Sequence, residues 1–403
     1  MLKEYPKFTA AAVQVASEFR DKPVYFDSLA TIDNTVKLIK EAASNGATLI
    51  VFPELHIPGY CHFALQLEKG PEYTSIWAEY LRHAIEVPSE ETDILCRAAR
   101  QANANVVIGI NERDKKYNGR MYNSALFINN RGEILGVHRK INITVQELMI
   151  HTRGDGGKNL RVHDMDFGKV SALICGEHDQ PLLKQCYIVQ GTKVNCSLWP
   201  GYLGGAEELP WVTPAMTTAM AVSGACWCVL AATYIPPEKR PKDFYPNTSF
   251  YQSFGGSAII NPFGEVVAGP VRDAETIVYA DIDLKVNEMA RAIINITGLY
   301  SRWDILSLLV RESEYEPLVP METLAGAPAL RAADLSGAAP AETSLTASQR
   351  ATAAQGATAA QLATATQRAV AASAAEIAEL RERIAELERR LLETEAARDR
   401  ANS

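Results

Sequence analysis

The sequence predicts an α/β fold with mixed strand pairing over residues 8 to about 315. Three observations carry that expectation. Short β-branched runs alternate with helical stretches, two hairpin signatures interrupt the alternation, and the composition suits a packed core. Of 403 residues, 47% are hydrophobic and 22% charged, ordinary values for a globular chain. Length points to one large or two moderate domains. Strands separated by helices favour parallel neighbours and hairpins require antiparallel ones, so both kinds of pairing are expected.

The elements follow in order. TAAAVQVA (9–16) and TLIVFPE (48–54) read as strands, with an amphipathic helix between them over about 28–45. Another helix is expected over roughly 73–103, then the strand NVVIGINE (105–112). YNSALFINN and EILGVHRK form a hairpin across Arg131-Gly132. KVSALI leads into Cys175, followed by a helix from about 179, the strand KVNCSL, a helix near 212–224 and the strand CVLAAT. The last expected pair is the hairpin GGSAIINPFGEVVAGP, turning at Asn261-Pro262-Phe263-Gly264.

Bulk properties exclude several function classes. The formal net charge is -8 with no dense Lys or Arg run, which argues against nucleic acid as a partner. Seven cysteines, an odd number spread through apolar segments, read as reduced thiols in a cytoplasmic protein. MLKEYPKFTA lacks the pattern of a signal peptide. Residues 219–235 are too short and too rich in small and polar residues to span a membrane. A helix turning into a core strand fits them better, so no membrane partner is expected. His56, Cys61 and His62 lie close together, but one loop without a second ligand pair rarely closes a zinc shell. No metal is expected.

Composition changes after residue 322. Residues 323–368 are rich in Ala, Thr and Ser with few large apolar side chains, too little to offset the entropy of ordering them, so they read as a linker. Beyond it, Val370, Ile377, Ile384 and Leu391 are spaced by seven, and Leu380 and Leu387 fall three after the isoleucines. β-Branched residues at a and leucine at d favour two parallel strands. Glu376 with Arg381, Arg383 with Glu388, and Arg390 with Glu395 supply opposite charges across such a dimer. A single solvated helix laced with intrachain ion pairs is the competing reading. The expected division is therefore a domain at 1–322, a linker at 323–368 and a self-associating coiled-coil helix at 369–400.

Three reactive side chains sit just past three expected strands: Glu54 after TLIVFP, Lys140 after EILGVHR and Cys175 after KVSALI. Sites in open α/β sheets assemble at the carboxyl ends of strands. An ammonium lowers a thiol's pKa, and a carboxylate can accept its proton and later activate water. The set suits a covalent hydrolase acting at a carbon bonded to nitrogen. On residue type and position alone, loop charges around a core cysteine explain the pattern too.

The local sequences add more. VFPELHIPGY, HRKINITVQE with the following RGDG, and ALICGEHDQPL resemble the nitrilase, or carbon-nitrogen hydrolase, superfamily in the same order. VNCSLWP and GGSAIINPFGEVVAGP are similar to further stretches of its nitrilase branch. The resemblance spans about residues 8–300 and implies an αββα sandwich, usually in homo-oligomers, dimers or larger spirals, with no metal or organic cofactor. It implies Glu54 as general base and acid, Lys140 as the cation at the tetrahedral species and Cys175 as nucleophile. Glu147 matches a second acidic residue that orients substrate and triad. The substrate implied is a small-molecule nitrile, hydrolysed through a thioimidate and a thioester to acid and ammonia.

Departures from the family pattern bear on the substrate. Gly176 stands where nitrilases carry tryptophan, which widens the pocket and loosens a backbone N–H suited to an oxyanion. Ile143-Thr144 replaces proline-threonine, and Leu148 replaces arginine. Tyr60 and Trp199 are candidates to line the pocket, with simple packing as the alternative. His178 is expected to be a hydrogen-bonded structural histidine, and Cys226-Trp227-Cys228 to alternate faces in a strand. An amidase, or a nitrile-hydrating enzyme stopping at the amide, is the second reading. An inactive scaffold oligomerised by its tail is the third.

Overall fold

The computed structural model describes residues 4–21, 25–67, 69–156, 159–201, 212–241 and 253–311. The expected linker (323–368) and heptad helix (369–400) lie outside the described residues. Strands β1 (Lys7–Gln14), β2 (Ala47–Val51), β3 (Asn105–Arg113), β4 (Met121–Ile128), β5 (Ile134–Arg139) and β12 (Thr276–Asp283) form one sheet, ordered β12-β1-β2-β3-β4-β5. Strands β6 (His163–Met165), β7 (Gly168–Ile174), β8 (Val194–Trp199), β9 (Trp227–Ala232), β10 (Gly255–Ile260) and β11 (Val266–Arg272) form the other, ordered β11-β10-β9-β8-β7-β6.

The sheets share one plan. β1, β2 and β3 are parallel neighbours in the first, as β7, β8 and β9 are in the second, and hairpins add antiparallel edges to both. The hairpin turns use the same device. Asn129 Oδ1 accepts from the N–H groups of Arg131 and Glu133, and Asn261 Oδ1 accepts from those of Phe263 and Glu265. Gly132 and Gly264 take the positive φ each turn requires.

Burial sets the layers. Ala10, Ala12, Leu49, Val51 and Phe127 of the first sheet pack against Ala172, Ile174, Cys196, Leu198 and Val229 of the second. The outer face of the first sheet is covered by α1 (Ser28–Ser44) and α4 (Glu90–Ala102) through Ile32, Ile39, Leu95 and Ala99. The outer face of the second is covered by α5 (Pro181–Val189) and α6 (Val212–Gly224) through Leu183, Tyr187, Met220 and Ala221. The layers are α, β, β, α, as the resemblance implied. Cys226 and Cys228 face the helices while Trp227 faces the other sheet, and all seven cysteines are free thiols. No helix among the described residues is long and apolar enough to cross a membrane.

Two expectations need correction. The helix expected over 73–103 is two helices, α3 (Pro71–Arg82) and α4, after the single turn of α2 (Phe63–Gln66). Pro88 has no N–H to continue a helix. Ser89 then caps α4 reciprocally, accepting from the Thr92 N–H while the Thr92 hydroxyl accepts from the Ser89 N–H. The hairpin was also expected to end the sheets, yet β12 follows and pairs antiparallel with β1. Its period is blurred by exposed Asp281 and partly buried Asp283 on this edge strand. After α7 (Lys285–Arg291) the described chain has no further helix or strand, and Leu299, Tyr300 and Leu309 are exposed.

Candidate active site

Glu54, Lys140 and Glu147 meet in a fully buried cluster. Lys140 Nζ donates to Glu54 Oε1 at 2.8 Å and to both oxygens of Glu147 at 2.8 and 2.9 Å. Glu54 leaves β2 on a turn whose next residue, Leu55, has φ of 47°. That turn crosses β3 where only glycine fits. A Cβ on Gly109 would collide with the Pro53 carbonyl and stand 2.5 Å from the Leu55 nitrogen. Lys140 follows β5, its N–H donating to the Asn123 carbonyl at 2.7 Å. The Arg153-Gly154-Asp155 turn docks beside it, with the Gly154 N–H donating to the Lys140 carbonyl at 2.9 Å. Glu147 comes from a 3-10 turn, Val145–Met149.

Cys175 follows β7, opens the 3-10 turn Cys175–Asp179 and is buried, with φ of 51°. A non-glycine residue held in the left-handed region costs on the order of 1–3 kcal/mol and persists only where its surroundings fix it. Two contacts do so here. His178 Nδ1 lies 2.9 Å from the Cys175 carbonyl, with Nε2 2.9 Å from Ser197 Oγ, so His178 is the hydrogen-bonded structural residue expected. Burial lowers its pKa to about 4, leaving a neutral ring.

Charge is distributed unequally. Burial pushes Glu54 up to about 7; Lys140 opposes the rise and the Glu147 carboxylate adds to it. Glu147 is equally buried, but Lys140, His151 and hydrogen bonds from Lys140 and Tyr60 hold it below the usual carboxylate range. Burial disfavours the Lys140 cation, but Glu147 and Glu54 outweigh it and push its pKa well up. Burial, then Glu54, keeps Cys175 a thiol. Near neutral pH the cluster therefore holds an ammonium, an ionised Glu147, a Glu54 poised between states and a thiol. Glu54 Oε1 accepts from Lys140 and Asn123. Among the described residues its Oε2 has no partner, leaving that oxygen open to a proton.

Residues 9–292 match the family model for carbon-nitrogen hydrolases. The chain belongs to the carbon-nitrogen hydrolase family. Its relatives place it in the nitrilase branch. It is 32% identical over 311 residues to "Nitrilase 2" of an unknown prokaryotic organism, covering 77% of this chain and 95% of that one. It is 33% identical over 332 residues to a bifunctional nitrilase/nitrile hydratase of Nicotiana tabacum, covering 78% and 88%. Nit3 of Saccharomyces cerevisiae, a member of branch 10 of the nitrilase superfamily, shares the fold with a TM-score of 0.59 at 20% identity, covering 74% of this chain and 97% of that one.

Of the other expected site residues in this carbon-nitrogen hydrolase, Tyr60 touches the cluster directly. The Tyr60 hydroxyl donates to Glu147 Oε1 at 2.9 Å, so its loop reaches the site through a carboxylate. Trp199 is fully buried and stacks on His178 with ring centroids 5.1 Å apart. A Cβ on Gly176 would meet Thr144 Oγ1 at 3.8 Å and nothing closer, so the hydrolase has room there for a side chain. Thr144 Oγ1 is itself 3.4 Å from Lys140 Nζ, and Leu148 is exposed. His56 Nε2 pairs with Thr35 Oγ1 at 2.9 Å, and no His/Cys/Asp/Glu group among the described residues has metal-holding geometry.

Sequence reading missed Asn123. Its Nδ2 donates to Glu54 Oε1 at 2.6 Å and to Glu147 Oε2 at 3.2 Å. In YNSALFINN it reads as one polar residue of an alternating strand, and only the fold brings it between two carboxylates. Gly109 was missed for the same reason.

Proposed function

We propose that the protein is a nitrilase, converting an organic nitrile and two waters to the carboxylic acid and ammonia through Cys175. One observation carries this reading: buried Lys140 bonded to the carboxyls of Glu54 and Glu147, with the buried thiol of Cys175 held in a left-handed turn. Glu54 accepts the Cys175 proton as sulfur attacks the nitrile carbon, and passes it to the nitrile nitrogen, giving a thioimidate. Water activated by Glu54 adds, ammonia leaves, and a thioester remains. A second water frees the acid and restores the thiol. Lys140 and the Gly176 N–H face the charge that develops at each tetrahedral stage. Glu147 and Asn123 hold Lys140 and Glu54 in place. Tyr60 braces Glu147, and Trp199 packs behind the cysteine turn. No cofactor takes part in this scheme.

A second reading stops at the amide. The space beside Gly176 supports it, because a turn without a neighbouring aromatic wall holds its N–H less firmly on the thioimidate adduct. The Nicotiana relative, named for both activities, is consistent with that branch point. We further propose that the chain self-associates, a reading supported by the heptad pattern at 369–400 and by exposed Leu299, Tyr300 and Leu309.

Intact mass after brief exposure to aliphatic, aryl and arylacetic nitriles and the matching amides tests the assignment. A transient adduct with acid and ammonia is expected, absent in Cys175→Ala. Amide without acid would favour the second reading. Neither adduct nor turnover on any nitrile or amide would overturn both.

A further inference from the structure

Two buried ionisable residues stand beside the proposed site without a part in the chemistry above. Glu177 lies two residues past Cys175, and His138 two residues before Lys140; both are fully buried. Glu177 Oε1 accepts from the N–H of Ile141, the residue after Lys140, at 2.7 Å. Its Oε2 accepts from the N–H of Ile174, the residue before Cys175, at 3.0 Å. The same oxygen lies 2.7 Å from His138 Nε2. Behind the ring, His138 Nδ1 is 2.8 Å from the Tyr187 hydroxyl on α5 and 3.2 Å from the Asn159 carbonyl.

Lys140 hangs from the first sheet and Cys175 from the second. Ladder hydrogen bonds fix strands within a sheet, not one sheet against the other. The apolar layer between the sheets is non-directional and tolerates small shifts that covalent catalysis does not. Gln14 Oε1 of β1 ties the sheets elsewhere, through the N–H groups of Gly256 and Ser257 on β10; a carboxylate that accepts one N–H from each side, at the residues adjoining the two reactive groups, supplies direction where the chemistry needs it.

We propose that Glu177 is a positioning residue, a clamp backed by His138 and Tyr187 that sets Cys175 against Lys140. The proposal rests on the reading of Cys175 and Lys140 as the reacting pair. Glutamate suits the task because both oxygens are needed as acceptors. Glutamine would turn an N–H₂ towards one of the two backbone N–H groups. The charges reinforce the geometry. Burial disfavours the Glu177 carboxylate, but His138 and the backbone donors hold its pKa down. Burial likewise disfavours the His138 cation, but Glu177 outweighs it and raises its pKa.

The test needs no knowledge of the substrate. Full-length protein would be alkylated with iodoacetamide across pH 6–10, with Cys175 followed by peptide mass. In Glu177→Gln the rate constant at Cys175 should fall about tenfold or more, and its pH profile should move upward as Lys140 stops stabilising the thiolate. Tyr187→Phe, which removes one outer hydrogen bond, should show a smaller fall of about threefold and carries the test if the first variant does not fold. A purely structural role would reduce the fraction of modifiable protein and leave rate constant and profile alone; that result in either variant overturns the clamp. Cys175 of the unaltered protein reacting no faster than buried Cys196 would overturn the reacting pair and the clamp together.

Discussion

Glu54 and Glu147 are the same residue type, equally buried, and bonded to the same ammonium, yet their surroundings push them in opposite directions. The difference lies in the donors. Glu147 has Lys140 on both oxygens with Tyr60 and Asn123 added, whereas Glu54 shares Lys140 and Asn123 on one oxygen. A base must be ionised to take the thiol proton, so kcat/KM should fall as pH drops through about 7, the value to which burial lifts Glu54. Because both carboxyls share one ammonium, the limb reports the pair. The Glu147 charge helps to raise Glu54, so Glu147→Gln should move the acid limb to lower pH, by roughly half to one unit. It should also cost about 10- to 100-fold in kcat/KM, because Lys140 loses its main anchor. A pH–rate profile checks both effects. A limb that stays or moves upward would contradict the charge distribution.

At the scale of elements, the site depends on how closely backbones cross. The Glu54 turn lies on β3 at Gly109, and the residue 153–155 turn lies on the Arg139 carbonyl at Gly154. Each glycine is needed for the room its missing side chain leaves. Gly109→Ala should push the Glu54 backbone outward, costing about 1–3 kcal/mol of stability and on the order of 100-fold in turnover per titrated site. Urea unfolding and active-site titration together would check this. Unchanged turnover with lowered stability would mean that the turn can shift without moving the carboxylate. Asp27 caps α1, accepting from the Ala30 N–H at 3.1 Å, a local mark of a helix start that reading by periodicity alone did not use. The break at Pro88 was legible too, and overlooking it merged α3 with α4.

For the whole molecule, two sheets of matching plan and their helix layers account for the described residues, and the tail adds a separate sequence pattern. If the heptads at 369–400 serve assembly alone, removing residues 323 onward should lower particle mass while leaving kcat per subunit within about twofold, since no residue of the proposed site lies there. Light scattering with turnover assays decides it. Lost turnover at unchanged particle mass would assign the tail another role.

By itself the sequence determined the strand and helix alternation, both hairpin turns, and the local motifs around Glu54, Lys140 and Cys175. These depend on short-range chemistry: side-chain periodicity, capping, turn residues and the exits of strands. Only the tertiary structure decided that Asn123 bridges two carboxylates, that Gly109 underlies Glu54, and that Glu177 joins the ends of β5 and β7. Those contacts include partners 69 and 36 positions apart, or depend on which backbones cross. A lone polar residue or glycine carries no local mark of a partner that distant. The unequal charge of Glu54 and Glu147 belongs to the same class, because burial and a shared ammonium exist only after the sheets have closed.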